Sequence, residues 1–266
     1  MKPGNFPFPL AAVFALAFAA GAAARAEEPP LPATLLAKRG KLLFKEDFTP
    51  PLAAVVGKPV GFASGFTGWR FNPGPAPSHG GIWTVADGCF TGAESPEAHH
   101  PATASYGMDF KDVIIQCDVR LNDAPAEGRH YRSFAIKATD AKDYVCALFG
   151  SLSGINALAY DDATIDPKTH QRVKFPPVAA AIPTKLGEWH TAVLEIRGDE
   201  LVASFEGKSV TVQSPLIAAD KHSLMLVAGT EASFRRLRVW EALPSADWEK
   251  KRRGWQSRGS LDWVWR

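Results

Sequence analysis

The sequence predicts an all-β protein, a sandwich of two antiparallel sheets followed by a short helical tail. Three observations point there. About a dozen short apolar segments recur along the chain, separated by turn-forming Gly, Asp and Asn residues, and this rhythm is that of sandwiches and barrels. Between Val113 and Leu121 the alternation is strict: Val113, Ile115, Cys117, Val119 and Leu121 face one way, and Ile114, Gln116, Asp118 and Arg120 the other. A period of two with one apolar face means a strand with one side on a core. Helical periodicity is almost absent before Ser245, which argues against a parallel α/β fold.

The predicted strands follow in order. Leu42 to Phe48 is apolar with acids near its end. Ile82 to Val85 runs into Asp87-Gly88, a tight-turn pair, and Cys89 to Thr91 is the return strand. After Val113–Leu121, the segments Ser133–Ala138 and Tyr144–Phe149 bracket a hairpin loop at Thr139–Asp143. Further strands are expected at Ile155–Tyr160, Trp189–Arg197, Leu201–Phe205, Ser209–Gln213, Ser223–Ala228 and Phe234–Trp240. Gly198-Asp199 and Glu206-Gly207 punctuate them as turns. Leu35 to Lys41 reads either as a short helix or as no regular structure. Ser245 is placed to cap a helix running through Asp247, Trp248 and Glu249 to Arg253, which Gly254 would stop.

The N-terminus has the form of a secretory signal. Lys2 supplies a positive start, Leu10 to Ala24 is unbroken small or apolar sequence, and Ala24-Arg25-Ala26 offers small residues at both recognition positions of a signal peptidase. The run is too short to span a bilayer comfortably, and the rival reading is an uncleaved anchor. The expected organisation is a signal peptide at 1–26, a Pro-rich linker at 27–40, the sandwich domain at 41–242 and a Trp/Arg-rich tail at 243–266. The expected location is secreted or periplasmic, with no membrane span after cleavage. Cleavage removes Lys2 and Arg25 and no acid, leaving 240 residues with 28 basic and 28 acidic side chains. A formally neutral chain gives no argument for a nucleic-acid partner. Cys89, Cys117 and Cys146 match no zinc or redox spacing, and each falls within a predicted strand. They read as small buried hydrophobes, although an oxidising compartment permits one disulfide with a thiol left over.

Several pieces, taken in order, resemble the laminin-G and concanavalin-like jelly-roll superfamily, and within it the 3-keto-disaccharide hydrolase family of secreted bacterial proteins. They are Trp83-Thr84-Val85-Ala86-Asp87-Gly88, Tyr106-Gly107-Met108-Asp109-Phe110, Gly187-Glu188-Trp189-His190, Phe205-Glu206-Gly207-Lys208-Ser209-Val210 and Phe234-Arg235-Arg236-Leu237-Arg238-Val239. Together they extend from Leu42 to about Trp240. The resemblance implies a jelly-roll sandwich and a carbohydrate partner, a polysaccharide or oligosaccharide. The chain departs from that family at Tyr131-Arg132-Ser133-Phe134-Ala135-Ile136-Lys137: the family's Asn-Ser-Gly is missing, and Lys137 stands where its Arg would be. The Glu-x-Asp-x-x-Glu of laminarinase-like enzymes is absent as well. Three functions therefore stay open: glycan binding, glycoside hydrolysis of 3-keto-disaccharides or related glycosides, and non-catalytic adhesion.

The candidate ligand-binding residues are Lys137, Arg132, His130, Asp118 and Trp69. If Phe134 and Ile136 point to the core, the pleat sends Ser133, Ala135 and Lys137 to the other face. Gln116, Asp118 and Arg120 lie outward on Val113–Leu121, and Arg129, His130 and Arg132 occupy the loop between the two segments. Asp118 is a candidate partner for Lys137. A polar sheet face with a nearby ring holds sugars through hydrogen bonds and stacking, and Trp69 in a Gly/Pro-rich loop is the candidate ring. Trp83, Trp189 and Trp240 fall in strand patterns and read as core. No cofactor is expected. Glu94, Glu97, His99 and His100 in one loop, and Asp161, Asp162 and Asp166 in another, are candidate divalent-metal ligands, against the plainer reading of solvated loops. Glu195 and the acids after it read as structural. For the tail, Trp248, Trp255, Trp263 and Trp265 either form an interaction surface or fold back onto the sandwich.

Overall fold

Val113–Leu121 forms a strand over its predicted span, and its two faces show how the protein is layered. Val113, Ile115, Cys117, Val119 and Leu121 lie in the main core, while Ile114 joins a second apolar cluster on the opposite side of the same sheet. The computed structural model describes residues 30–49, 69–71, 81–94, 100–124, 132–140, 144–152, 154–161, 178–180, 184–248 and 250. The segment read as a signal and the tail beyond Lys250 lie outside the described residues.

Fifteen strands are present among the described residues: β1 (Ala37–Glu46), β2 (Trp69–Phe71), β3 (Ile82–Ala86), β4 (Cys89–Ala93), β5 (Ala102–Phe110), β6 (Val113–Leu121), β7 (Ser133–Thr139), β8 (Tyr144–Ser151), β9 (Gly154–Asp161), β10 (Val178–Ala180), β11 (His190–Arg197), β12 (Glu200–Phe205), β13 (Lys208–Gln213), β14 (Lys221–Ala228) and β15 (Glu231–Pro244). Sheet A runs β13-β12-β11-β6-β15-β4-β3, with β1 also pairing β15. Sheet B runs β10-β9-β8-β7-β14-β5-β2. Every pairing is antiparallel. The two sheets face each other across Trp83, Phe90, Phe134, Phe205 and Phe234 with the aliphatic residues around them. Burying one such side chain contributes about 1.5–3 kcal/mol, so this layer dominates the stability.

The structure differs from the sequence reading at several places. β1 begins at Ala37, inside the expected linker, and Leu35–Lys41 is not helical. Trp69 lies on strand β2 rather than in a loop, and β5 and β10 were not anticipated. β6 and β7, expected to share a polar face, belong to different sheets. A further difference concerns β15, which does not alternate strictly. Phe234, Leu237 and Val239 all enter the core, which even spacing forbids. A bulge between Arg235 and Arg238 resolves the conflict, with Arg236 in the left-handed region at φ 50°. The extra residue resets the pleat, and both Arg235 and Arg236 are turned outward.

Two core rings lie across glycines on the neighbouring strand. Trp83 is opposite Gly92, and Phe134 is opposite Gly150. A Cβ on Gly150 would sit 2.1 Å from Cε1 of Phe134, whose ring is fully buried. Gly150→Ala is therefore expected to lower the unfolding free energy by about 1–3 kcal/mol through overpacking, measured as a drop in the thermal midpoint.

The segment that leads into β1 and the turn that follows β15 meet on the outer side of sheet A. The Glu195 carboxylate accepts the backbone N–H groups of Leu35 (2.8 Å), Leu36 (2.9 Å) and Ala37 (3.0 Å). Leu36 then packs with Val202 and Trp248, and the Trp248 indole N–H donates to Glu200 at 3.1 Å. Trp248 thus folds back onto the sandwich; Trp255, Trp263 and Trp265 lie outside the described residues. Arg39 lies over the Trp240 ring at 4.9 Å and donates to Gln116 at 3.1 Å. The outward side of β6 is consequently covered at Ile114 and Gln116, and Trp240 belongs to this outer cluster rather than to the main core.

Candidate functional site

Sheet B presents the outward face that is best suited to a ligand. On β7 the inward residues are Phe134, Ile136 and Ala138, so Ser133, Ala135, Lys137 and Thr139 face out. Registry places Ser105, Met225, Lys137 and Ala147 in one row across β5, β14, β7 and β8. Thr103, Val227, Ala135, Phe149 and Asn156 form the next row. Ala135 and Ala147 are wholly buried although they point away from the core, while Lys137 and Phe149 beside them are half-buried. Small residues form the floor, with larger ones standing around it. Lys137 Nζ lies 5.1 Å from the centroid of the Phe149 ring, a cation–π contact that positions the ammonium over the face. Thr139 and Ser223 hydroxyls hydrogen-bond across β7 and β14.

At one end of this face His222 Nδ1 and Asp109 Oδ1 are 2.7 Å apart, and both side chains are well exposed. Asp109 is the one carboxylate at an outward position of β5, β14, β7 and β8. Glycoside hydrolysis commonly uses two carboxyl groups flanking the scissile bond. These four strands do not present such a pair.

The residues expected from sequence to form a site are dispersed. Lys137 is on the sheet B face, as the pleat required. Arg132 is at its edge, held by Asp123 Oδ1 at 3.2 Å and the Ala124 carbonyl at 3.0 Å. His130 lies outside the described residues. Trp69 is buried between the sheets against Phe48, Phe90 and Tyr106, so its ring is unavailable for stacking on a ligand. Asp118 is on the outer side of sheet A and cannot partner Lys137. It is 2% exposed, accepts from Thr191 Oγ1 at 2.9 Å, and takes Arg235 Nε (3.1 Å) and Arg236 Nε (2.7 Å) on its other oxygen. Trp189, read as core, is half-exposed between the guanidinium groups of Arg120 and Arg235.

Among the described residues no group of three His, Cys, Asp or Glu side chains could hold a metal ion. Glu94 is buried at the end of β4 and His100 Nδ1 lies 2.7 Å from the Pro101 carbonyl; Glu97, His99, Asp162 and Asp166 lie outside the described residues. None of the three cysteines forms a disulfide. Cys117 and Cys146 are buried, and burial pushes the half-buried Cys89 thiol up despite the opposing pull of Arg120 and Arg235. A protonated thiol is a poor nucleophile.

No family model and no curated protein matches the chain. Solved structures do. A non-specific endo-β-1,3(4)-glucanase of family GH16 aligns with a TM-score of 0.51 at 10% identity, over 78% of this chain and 96% of its own. The Bacillus licheniformis β-glucanase gives 0.51 at 9% identity, over 77% and 99%. A Flavobacterium laminarinase gives 0.51 at 11%, over 76% and 100%. The fold is a jelly roll. At such identities the likeness is one of fold, and activity has to be argued from side chains.

The jelly roll explains which site residues the sequence concealed. Phe149 was legible, since Cys146 and Leu148 facing inward force it outward. Ser223 and Met225 were legible as positions on a strand, but nothing in the sequence said that β14 lies between β5 and β7. Asp109 was hidden because β5 itself was not recognised.

Proposed function

We propose that this protein binds carbohydrate on the outward face of sheet B, around Lys137 and Phe149, outside the cytoplasm. The observation that carries the reading is the combination of a small-residue floor with Ser105, Ser133, Thr139, Asn156 and Ser223 around a Lys–Phe pair. Hydroxyl, amide and ammonium groups suit sugar hydroxyls, and an aromatic face suits the apolar side of a pyranose. That the fold is shared with glucanases supports the ligand class. The apolar N-terminal segment, read as a signal peptide, supports secretion or passage to the periplasm. Binding is favoured over hydrolysis because the central strands lack paired carboxylates.

Affinity electrophoresis of the mature chain against plant, algal and bacterial polysaccharides tests the reading; retention on none would overturn it. Lys137→Ala is expected to weaken binding of a retained glycan about tenfold, the scale of one charge-assisted hydrogen bond. Its thermal midpoint should stay near that of the parent. Equal losses of stability and binding would mark Lys137 as structural.

Hydrolysis of a 3-keto-disaccharide or related glycoside is the second reading, and the Asp109–His222 pair at the end of the same face favours it. An imidazole beside a carboxylate is a proton-transfer couple. Turnover of 3-keto glycosides that Asp109→Asn abolishes would establish it, and no turnover would leave binding alone.

A further inference from the structure

The outward side of sheet A holds a charged cluster that the sheet B site does not use. The guanidinium carbons of Arg120 and Arg235 lie 4.6 Å and 4.1 Å from the centroid of the Trp189 ring. Arg235 and Arg236 converge on one oxygen of Asp118. Arg120 instead donates through Nε to the neutral amide oxygen of Asn122 at 2.9 Å. The other carboxylates nearby are engaged elsewhere: Glu231 accepts from Asn122 Nδ2 at 2.8 Å, and Glu206 lies 3.2 Å from His190 Nδ1. Two of the three guanidinium groups therefore share a single carboxylate, and the third, Arg120, contacts none among the described residues. Arg235 and Arg236 keep 35% and 28% of their side-chain surface exposed.

Several features make this a built arrangement rather than scattered surface charge. The bulge of β15 places two consecutive arginines on one face, at the cost of a left-handed Arg236. Left-handed backbone is disfavoured at a residue with a Cβ, and such strain clusters at functional sites. The Trp189 ring is in cation–π contact with two like charges, which offsets part of their repulsion. Asp118 shows that a carboxylate oxygen fits among these groups, and Arg120 is the member of the set without one among the described residues.

We propose that Arg120, Trp189 and Arg235 form a second binding site, which takes the carboxylate of an acidic saccharide such as a uronate. That the ligand is a saccharide rests on the function proposed above; the carboxylate is argued from the arginines alone. A planar guanidinium matches a carboxylate with two parallel N–H donors, which a lysine cannot do. The two sites lie on opposite outer faces of the sandwich, so one glycan-binding chain could engage a neutral and an acidic part of a polymer at once.

Titration of the full mature chain with trigalacturonate at low ionic strength, followed calorimetrically, tests the proposal. Saturable binding is expected, weakened about tenfold or more by Arg120→Gln. Lys111→Gln removes the same charge from an exposed site that pairs only loosely with Asp220, at 3.8 Å, and should leave binding unchanged. Equal losses in the two variants would mean unspecific charge attraction and overturn the site. Should Arg120→Gln fail to fold, Arg120→Lys keeps the charge and loses the fork; full affinity in that variant would overturn the bidentate geometry. Equal affinity for a sulfated trisaccharide would overturn the assignment to carboxylate. Retention of neutral glycans with no binding of trigalacturonate would overturn this inference and leave the sheet B reading standing; the reverse result would do the opposite.

Discussion

Glu195→Ala is expected to lower the unfolding free energy by about 3–5 kcal/mol, a large share of the roughly 5–15 kcal/mol that holds a typical domain folded. The carboxylate has no exposed surface and accepts three backbone N–H groups, from Leu35, Leu36 and Ala37. Alanine removes both acceptor oxygens, and each of the three donors left buried without one costs about 1–3 kcal/mol, less where water can enter. Chemical denaturation is the measurement, and a loss below 1 kcal/mol would show that the N-terminal segment is not held by this residue. Glu195→Gln should cost less, since its amide oxygen can still receive Leu36 and Ala37.

The same residue makes a pH prediction. Burial holds the Glu195 carboxyl above its ordinary value of 4.5, and the three N–H groups and Arg39 oppose that only in part. The folded state then binds its proton more tightly than the unfolded state does. Stability contributed by this group is complete below 4.5 and is lost as the pH rises through the raised folded value. Asp47 works in a different window. Burial pushes its carboxyl up, but Arg238 and Lys45 outweigh that and bring it below its ordinary 3.8. Its contribution is lost only on stronger acidification. A gain in stability on mild acidification that disappears in Glu195→Gln is the expected signature.

The second large effect is expected at Asp118. Asp118→Ala leaves Arg235, Arg236 and the Thr191 hydroxyl without their shared acceptor at the centre of sheet A. Breaking a buried pair from one side typically costs about 3–5 kcal/mol. The arginines are partly exposed and can turn to water, so about 2–4 kcal/mol is expected here. Binding of neutral glycans by the folded fraction should be unaffected, because Asp118 and Lys137 are on different sheets. A selective loss of glycan binding at unchanged stability would contradict that placement.

Strand identity was largely legible in the sequence, because alternation and turn pairs are local signals. β6 and the hairpin turns at Asp87-Gly88, Gly198-Asp199 and Glu206-Gly207 fall where those signals put them. Sheet membership was not legible. Adjacent in sequence, β6 and β7 separate into opposite sheets, and no local pattern distinguishes that crossover from a hairpin. This is why Asp118 was paired with Lys137 and why an outward face covered by the N-terminal segment looked open to solvent. Trp69 misled for a related reason: its Gly/Pro-rich neighbours mark a loop, while its burial is decided by Phe48, Phe90 and Tyr106 far away in the chain. The bulge at Arg235-Arg236 was equally hidden, since it shows only once Phe234 and Leu237 are both known to point inward.

The partnership of β1 with β15 has a consequence for how the molecule assembles. Ala37 pairs with Pro244 and Glu46 with Leu237, so the first strand must wait for nearly the last residues of the domain. Closing a loop of ~200 residues is entropically slow, and chains dominated by such contacts fold in the slower range. β4 and β6 also hydrogen-bond to β15, so during synthesis three strands of sheet A lack a neighbour until it emerges. A nascent or truncated chain ending before Glu231 would expose those edges together, the condition under which strands pair with other molecules instead. The order of the sequence thus postpones closure of sheet A until the last strand of the sandwich has emerged.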